Sequence, residues 1–191
     1  MSAVRAVALA LALTALPAAA DEEAAEGQAA PSFQLRAMNP ASAGREWVRL
    51  DRFAGEEPDD AASRAVLLSF FASWCGPCKK ELPYLEELHR AYHSLGLRVL
   101  SVNIDREEPA LSDARRMFEE ARVTFPVLSD RFNLTARRYL GEKSPLPSVF
   151  FIRRDGVIAR VERGYGKDAK SFLLAEVRRA LGLQRTEAAG K

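Results

Sequence analysis

The stretch Ser73–Pro83, SWCGPCKKELP, carries both cysteines of the 191-residue chain, Cys75 and Cys78. Ahead of it, AVLLSFFASW from Ala65 is a nearly continuous apolar run, the pattern of a strand buried on both faces. Behind it, Pro77 stands where a first helical turn tolerates proline. Leu82, Leu85, Leu88, Tyr92 and Leu95 then recur at three and four residues, so the spacing predicts a helix to Gly96. LRVLSVNI, from Leu97, reads as a second buried strand. Strand, helix and strand with no hairpin turn between them imply a parallel pair with a right-handed crossover, and place the cysteines at a strand-to-helix junction.

Further along, Pro109 opens a helical pattern of Leu111, Ala114, Met117, Phe118 and Ala121. TFPVL is a brief extended piece leading into a helix that carries Phe132, Ala136, Tyr139 and Leu140. SPLPSVFFIRRDGVIARVER reads as two strands joined by a turn at Asp155-Gly156. A last helix from Asp168 to Leu181 ends at Gly182, with Phe172, Leu173, Val177 and Leu181 on its buried side. APSFQL and REWVRLDRF, before Ala65, form a small amphipathic hairpin at the sheet edge. The sum is an α/β sandwich.

The amino terminus, MSAVRAVALALALTALPAAADEE, offers Arg5, an apolar run from Ala6 to Leu16, and the small residues Ala18 to Ala20 before Asp21. That is the layout of a secretory signal peptide cleaved after Ala20, the apolar run being shorter than the ~20 residues a membrane anchor needs. The predicted organisation is a signal peptide at 1–20, an acidic, alanine-rich linker at 21–30, one domain at 31–183 and a tail at 184–191. The destination is the periplasm or another extracytoplasmic compartment of the envelope, where thiols tend to oxidise. With 28 basic and 26 acidic side chains mixed along the chain, no nucleic-acid or membrane-surface footprint is visible. No dimerisation element is recognisable, and a monomer is expected.

Four roles compete for the cysteine pair. As a structural staple it would close too small a loop to remove much chain entropy. Zinc wants four ligands; no second CxxC exists, and His89 and His93 fall toward the solvated side of the helix stripe. Covalent haem attachment needs CxxCH, and Lys79 follows Cys78. A reactive dithiol remains, with no metal and no cofactor expected. A peroxiredoxin would instead rest on a lone cysteine in a Thr-x-x-Cys context.

A tryptophan before Cys-Gly-Pro-Cys, after a buried strand and at the start of a helix, resembles the thioredoxin superfamily. Glu81 and Pro83, three and five residues after Cys78, narrow this to the exported TlpA/ResA-like thiol-disulfide oxidoreductases. So do an insertion between Val102 and Asp130 ending FPVLSD, and Leu146-Pro147 before a strand and Asp155-Gly156. The resemblance spans Pro31 to Leu183. It implies a thioredoxin-like sandwich: a central mixed sheet flanked by helices, with an extra strand-helix insertion and an N-terminal edge hairpin. Two features depart from the superfamily pattern. Ser69 stands where thioredoxins proper carry a buried aspartate, and the acidic insertion GEEPDDAAS, 55–63, has no evident role.

A thiol at the first turn of a helix meets unpaired backbone amides and the positive end of the helix dipole, which favour its thiolate. Cys75, the outer member, is expected as nucleophile and Cys78, half buried, as the resolving thiol. The resemblance makes Glu81 the acid that handles the Cys78 proton in place of the carboxylate missing at Ser69. It also makes Pro147 a cis-proline, in preference to Pro145, that presents the Leu146 backbone to an extended substrate strand. Trp74, Gly76 and Pro77 complete the substrate-binding set, Trp74 covering the sulfurs.

The expected function is reduction of disulfides in exported proteins, apocytochrome c during cytochrome c maturation among them, with a membrane electron donor of the thiol-reductase type. The Gly76-Pro77 dipeptide, as in strongly reducing thioredoxins, and Glu81 favour that direction. A disulfide-donating oxidase or isomerase, and a non-enzymatic metal or haem chaperone on the same fold, are the alternatives.

Overall fold

The apolar run before the cysteines is a strand, β3 (Ala65–Phe71), with every residue buried, in a computed structural model that describes residues 23–183. The expected signal peptide and tail, and the first residues of the expected linker, lie outside that range. The helix α2 (Gly76–Tyr92) follows β3 and is prolonged by a 3₁₀ turn to Leu95. It stops at Gly96, whose φ is 102° and where a Cβ would sit 2.7 Å from the Ala62 carbonyl oxygen; glycine is required there on both counts. Strand β4 (Leu97–Asn103) then pairs in parallel with β3 over seven rungs, as strand-helix-strand order requires.

Before β3 come β1 (Gln34–Ala37), the short helix α1 (Pro40–Ala43) and β2 (Trp47–Arg49). After β4 come α3 (Ala110–Glu120), β5 (Val127–Ser129), α4 (Leu134–Leu140), β6 (Ser148–Arg153), β7 (Ile158–Arg163) and α5 (Ala169–Ala180). The seven strands form one mixed sheet in the order β2-β1-β5-β4-β3-β6-β7. β4 and β5 are parallel, whereas β1, β6 and β7 run antiparallel to their neighbours. The edge hairpin, the strand-helix insertion (α3 and β5) and the Asp155-Gly156 hairpin turn are all where the sequence put them.

Strand alternation divides the core into two layers. Leu67 and Phe71 of β3, Leu97 and Val99 of β4, and Val149 and Phe151 of β6 pack against α2, α3 and α5. Val66, Leu68 and Phe70, with Leu100, Val102, Phe150 and Ile152, pack against α4 and the segment before β3. Tyr139 sits at the centre of this second layer, its ring 5.2 Å from Phe70 and 5.0 Å from Phe150, with its hydroxyl donating to the Pro31 carbonyl.

Three readings need correction. Phe132, assigned to the buried stripe of a helix, precedes α4 and is 78% exposed, because the chain turns at Asn133 (φ 54°) before the helix begins. His89 is half buried rather than solvated, its ring edge-on to Phe125, while His93 is exposed. The expected linker is, from Glu23 onward, part of the fold: Gly27 N–H donates to Ile158 O, Ile158 N–H to Gln28 O, and Ala24 is buried. Pairing to the outer strand β7 explains why an alanine-rich acidic stretch is ordered: the backbone bonds are joined by Glu26, which accepts from Val161 N–H at 3.0 Å and pairs with Arg160, and by Glu23, which pairs with Arg163.

The acidic insertion also acquires a structural role. Asp60 accepts from Arg98 Nε at 2.6 Å and Nη2 at 3.2 Å, and Arg154 donates to carbonyls at Asp60, Ala61 and Ser63. The insertion is thereby clamped over the N-terminal end of β4. Among the described residues no helix is long and apolar enough to cross a membrane.

Candidate active site

β3 ends at Phe71, and four residues later the chain enters α2 with Cys75 as the helix N-cap. Cys78 N–H donates to Cys75 Sγ at 3.2 Å, so the sulfur occupies the place of a capping oxygen and receives one of the helix's unpaired amides. A disulfide joins Cys75 to Cys78, with Cα atoms 5.3 Å apart. Cys75 is 4% exposed and Cys78 fully buried, so the outer-and-inner order holds although Cys78 is more deeply placed than half buried.

The loop between β3 and α2 is held from outside. Asp105, just beyond β4, accepts from Ser73 N–H at 2.8 Å and Ser73 Oγ at 3.2 Å, and the Asn103 side chain donates to the same carboxylate at 2.8 Å. This buried carboxylate sets the path of the backbone into Trp74 and Cys75. No local pattern around Asp105 marks it, since its partner lies 32 positions away.

One turn after Cys78, Glu81 points from α2 into the sheet and is 1% exposed. Ser69 has the same parity in β3 as Leu67 and Phe71, which turns its side chain toward α2, and its hydroxyl donates to Glu81 Oε2 at 2.7 Å. Burial pushes the Glu81 carboxyl up to about 7, and the Ser69 hydrogen bond offsets only part of that. A carboxylate reaching in from the helix thus meets, at position 69, the serine that replaces the strand aspartate of thioredoxins. Tyr165, in the loop between β7 and α5, was not anticipated. Burial, followed by the nearby Glu81 and Tyr84, pushes its phenol up to about 12, and its buried hydroxyl has no partner among the described residues. It packs against the core layer that holds Cys75 and Cys78, and no spacing rule along the chain reaches it.

Leu146–Pro147 is a cis peptide and Pro145 is not preceded by one. β6 begins at Ser148, paired to Phe70, so this dipeptide lies at the same end of the sheet as the cysteines. Pro147 O accepts from Gly164 N–H at 2.7 Å, while Leu146 N–H and C=O have no hydrogen-bond partner among the described residues. Gly76 and Pro77 are exposed at the helix tip beside the disulfide. Trp74 is 70% exposed; its ring stands in solvent at the mouth of a neighbouring cleft, where it was expected to cover the sulfurs. A surface cleft of about 1020 Å³ lies at the opposite end of the sheet around the Asp155 turn, away from the disulfide, Glu81 and Leu146–Pro147. Among the described residues no three His, Cys, Asp or Glu side chains converge as a metal-ligand set.

This geometry is a dithiol site that can exchange with another disulfide, with a buried titratable acid one helical turn behind it. The sequence matches the AhpC/TSA family over residues 27–161. The thiol-disulfide oxidoreductase ResA of Oceanobacillus iheyensis is 30% identical over 138 residues, covering 72% of this chain and 65% of that protein's length. ResA of Geobacillus thermodenitrificans is 33% identical over 140 residues, covering 73% and 70%. Among solved structures, a thiol:disulfide interchange protein DsbE from Chlorobium tepidum superposes with a TM-score of 0.68 at 29% identity, over 84% of this chain and all of that one. The dithiol at the helix tip, the acid behind it and these matches agree that the chain belongs to the AhpC/TSA family, among its ResA-like thiol-disulfide oxidoreductases of thioredoxin-like fold.

Proposed function

We propose that the chain reduces disulfides in exported proteins, working in an extracytoplasmic compartment after removal of residues 1–20. The observation that carries the reading is the buried Glu81, titrating near neutrality one turn from Cys78 on the helix that Cys75 caps. In the reduced protein the Cys75 thiolate, favoured by the Cys78 amide and the helix dipole, attacks one sulfur of a client disulfide. A mixed disulfide forms, and the client's second sulfur leaves as a thiolate that takes a proton. Glu81 then accepts the proton of Cys78, whose thiolate attacks Cys75 Sγ and releases the client's first sulfur. Two electrons pass to the client, which becomes a dithiol, and Cys75–Cys78 becomes the disulfide. Leu146 N–H and C=O, free of internal partners, pair with the client strand, and Trp74, Gly76 and Pro77 flank it.

The Gly76-Pro77 dipeptide and Glu81 support the reducing direction. In this reading a membrane thiol reductase restores the dithiol, and apocytochrome c, whose CxxCH must be reduced before haem attachment, is a fitting client. The test is the redox potential against glutathione together with insulin reduction by the purified protein. A potential below about −220 mV and turnover lost in Cys75→Ser are expected, whereas a potential near −120 mV identifies an oxidant and overturns the reducing direction.

A further inference from the structure

Beside the disulfide lies a cleft of about 790 Å³, and its walls are cationic. Trp74 forms one side, Ile104 and Arg106 after β4 another, and Asn133, Arg137 and the Gly141–Ser144 loop after α4 the third. Arg106, Arg137 and Lys143 all face it. Ten other arginines of the fold are paired with carboxylates, but none of these three side chains has an ion-pair partner among the described residues. Arg106 is held in place: with the Asn133 amide turned so that its nitrogen donates to Asp130 O and Ile104 O, its oxygen accepts from Arg106 Nε at 3.2 Å and Nη2 at 3.3 Å. The nearby carboxylates are fewer than the cations. Glu142 lines the cleft beside Lys143, Glu23 lies against Gly141 but is paired with Arg163, Glu107 follows Arg106 in an exposed turn, and Asp105 is buried and engaged with Ser73.

We propose that this cleft is a docking surface for the client polypeptide, and that it selects clients with acidic residues flanking the disulfide to be reduced; the inference rests on the reductase reading above. Two observations set the occupant. The cleft begins at Trp74, the residue before Cys75, so a chain linked through sulfur to Cys75 lies at its mouth. Its far wall, Gly141–Ser144, runs directly into Leu146–Pro147, whose Leu146 backbone groups are unpaired. A single extended chain can pair with Leu146 and enter the cleft, which a small anion cannot do. The excess of three cations over the one lining carboxylate, Glu142, then favours carboxylates on that chain and raises its encounter rate.

The test uses the reduced full chain and two synthetic peptide disulfides of equal length, one with glutamates flanking its CxxC and one with glutamines there. Reduction of the glutamate peptide is expected to be about tenfold faster at low ionic strength, the ratio approaching one at about 0.5 M salt, where the Debye length is only a few ångströms. The triple variant R106Q/R137Q/K143Q is expected to bring the ratio near one at low salt, and R64Q/R122Q/R178Q, which removes the same three charges from exposed positions outside the cleft, to retain it. Equal rates for both peptides overturn the docking proposal while leaving the dithiol chemistry intact. If oxidised glutathione, which also carries carboxylates, is reduced as fast as the glutamate peptide, the cleft serves a small anion and the polypeptide proposal falls. If neither peptide is reduced, the reductase reading fails and takes the docking proposal with it.

Discussion

Two shielded carboxylates stand at opposite ends of the central strands, and they are treated in opposite ways. Asp60, beyond the N-terminal end of β4, is gripped by the Arg98 guanidinium, whose hydrogen bond and charge hold its carboxyl below the usual carboxylate range. Glu81, near the C-terminal end of β3, has only the Ser69 hydroxyl, and burial pushes its carboxyl up to about 7. The same functional group is thus an ionised anchor where a cation meets it and a proton store where none does. A guanidinium beside Glu81 would stabilise its ionised form and remove the titration near neutrality that the proposed chemistry needs.

Removing the anchor should have the largest effect. Asp60→Ala leaves the Arg98 side chain, 11% exposed, with its charge uncompensated, and is expected to cost about 3 to 5 kcal/mol in urea unfolding while the exchange rate per folded molecule is unchanged. A loss below about 1 kcal/mol would break the contrast from the structural side. Glu81→Gln tests the other half. The folded protein holds the Glu81 proton up to about pH 7 and the unfolded chain releases it near pH 4.5, so between those values the folded state binds more protons and stability falls as pH rises. That loss, on the order of 3 kcal/mol in all, should be absent from the glutamine variant, and the pH dependence of its exchange rate should lose the inflection near 7. A variant with the parental pH profile of both stability and rate would mean that Glu81 does not carry the proton. Asp105→Ala, which strips the acceptor from Ser73 N–H, is expected to cost about 2 kcal/mol. It should slow exchange without moving the Glu81 titration, which separates positioning of the loop from proton handling.

How much of this was legible beforehand follows from distance along the chain. Cys75, Cys78 and Glu81 lie within one helical segment, and Ser69 on the strand feeding it, so periodicity and capping rules place them together. Leu146–Pro147 was reached through the family resemblance and the strand after it. Asp105, Tyr165, Arg106 and Lys143 come from loops that meet the site only once the sheet is assembled, and a loop residue carries no period to read; Arg137 is on α4, but its place beside Trp74 likewise depends on how the sheet is assembled. Phe132 shows the opposite error: an apolar residue at helical spacing lay beyond a turn at Asn133 and ended in solvent. The N-terminal stretch was misread because its order comes from pairing to β7, through the backbone and through Glu23 and Glu26, with partners more than a hundred positions away.

The pairing of β3 has one more consequence. Ser69 reaches Glu81 only because it falls on the α2 face, and side chains alternate faces at every residue. A slip of β3 by one position between β4 and β6 would present Leu68 or Phe70 to the carboxyl and leave it with no hydroxyl at all. The seven rungs to β4 and six to β6 therefore decide which β3 side chain the buried acid meets, and with it the one hydrogen bond that offsets part of the effect of burial on its proton affinity.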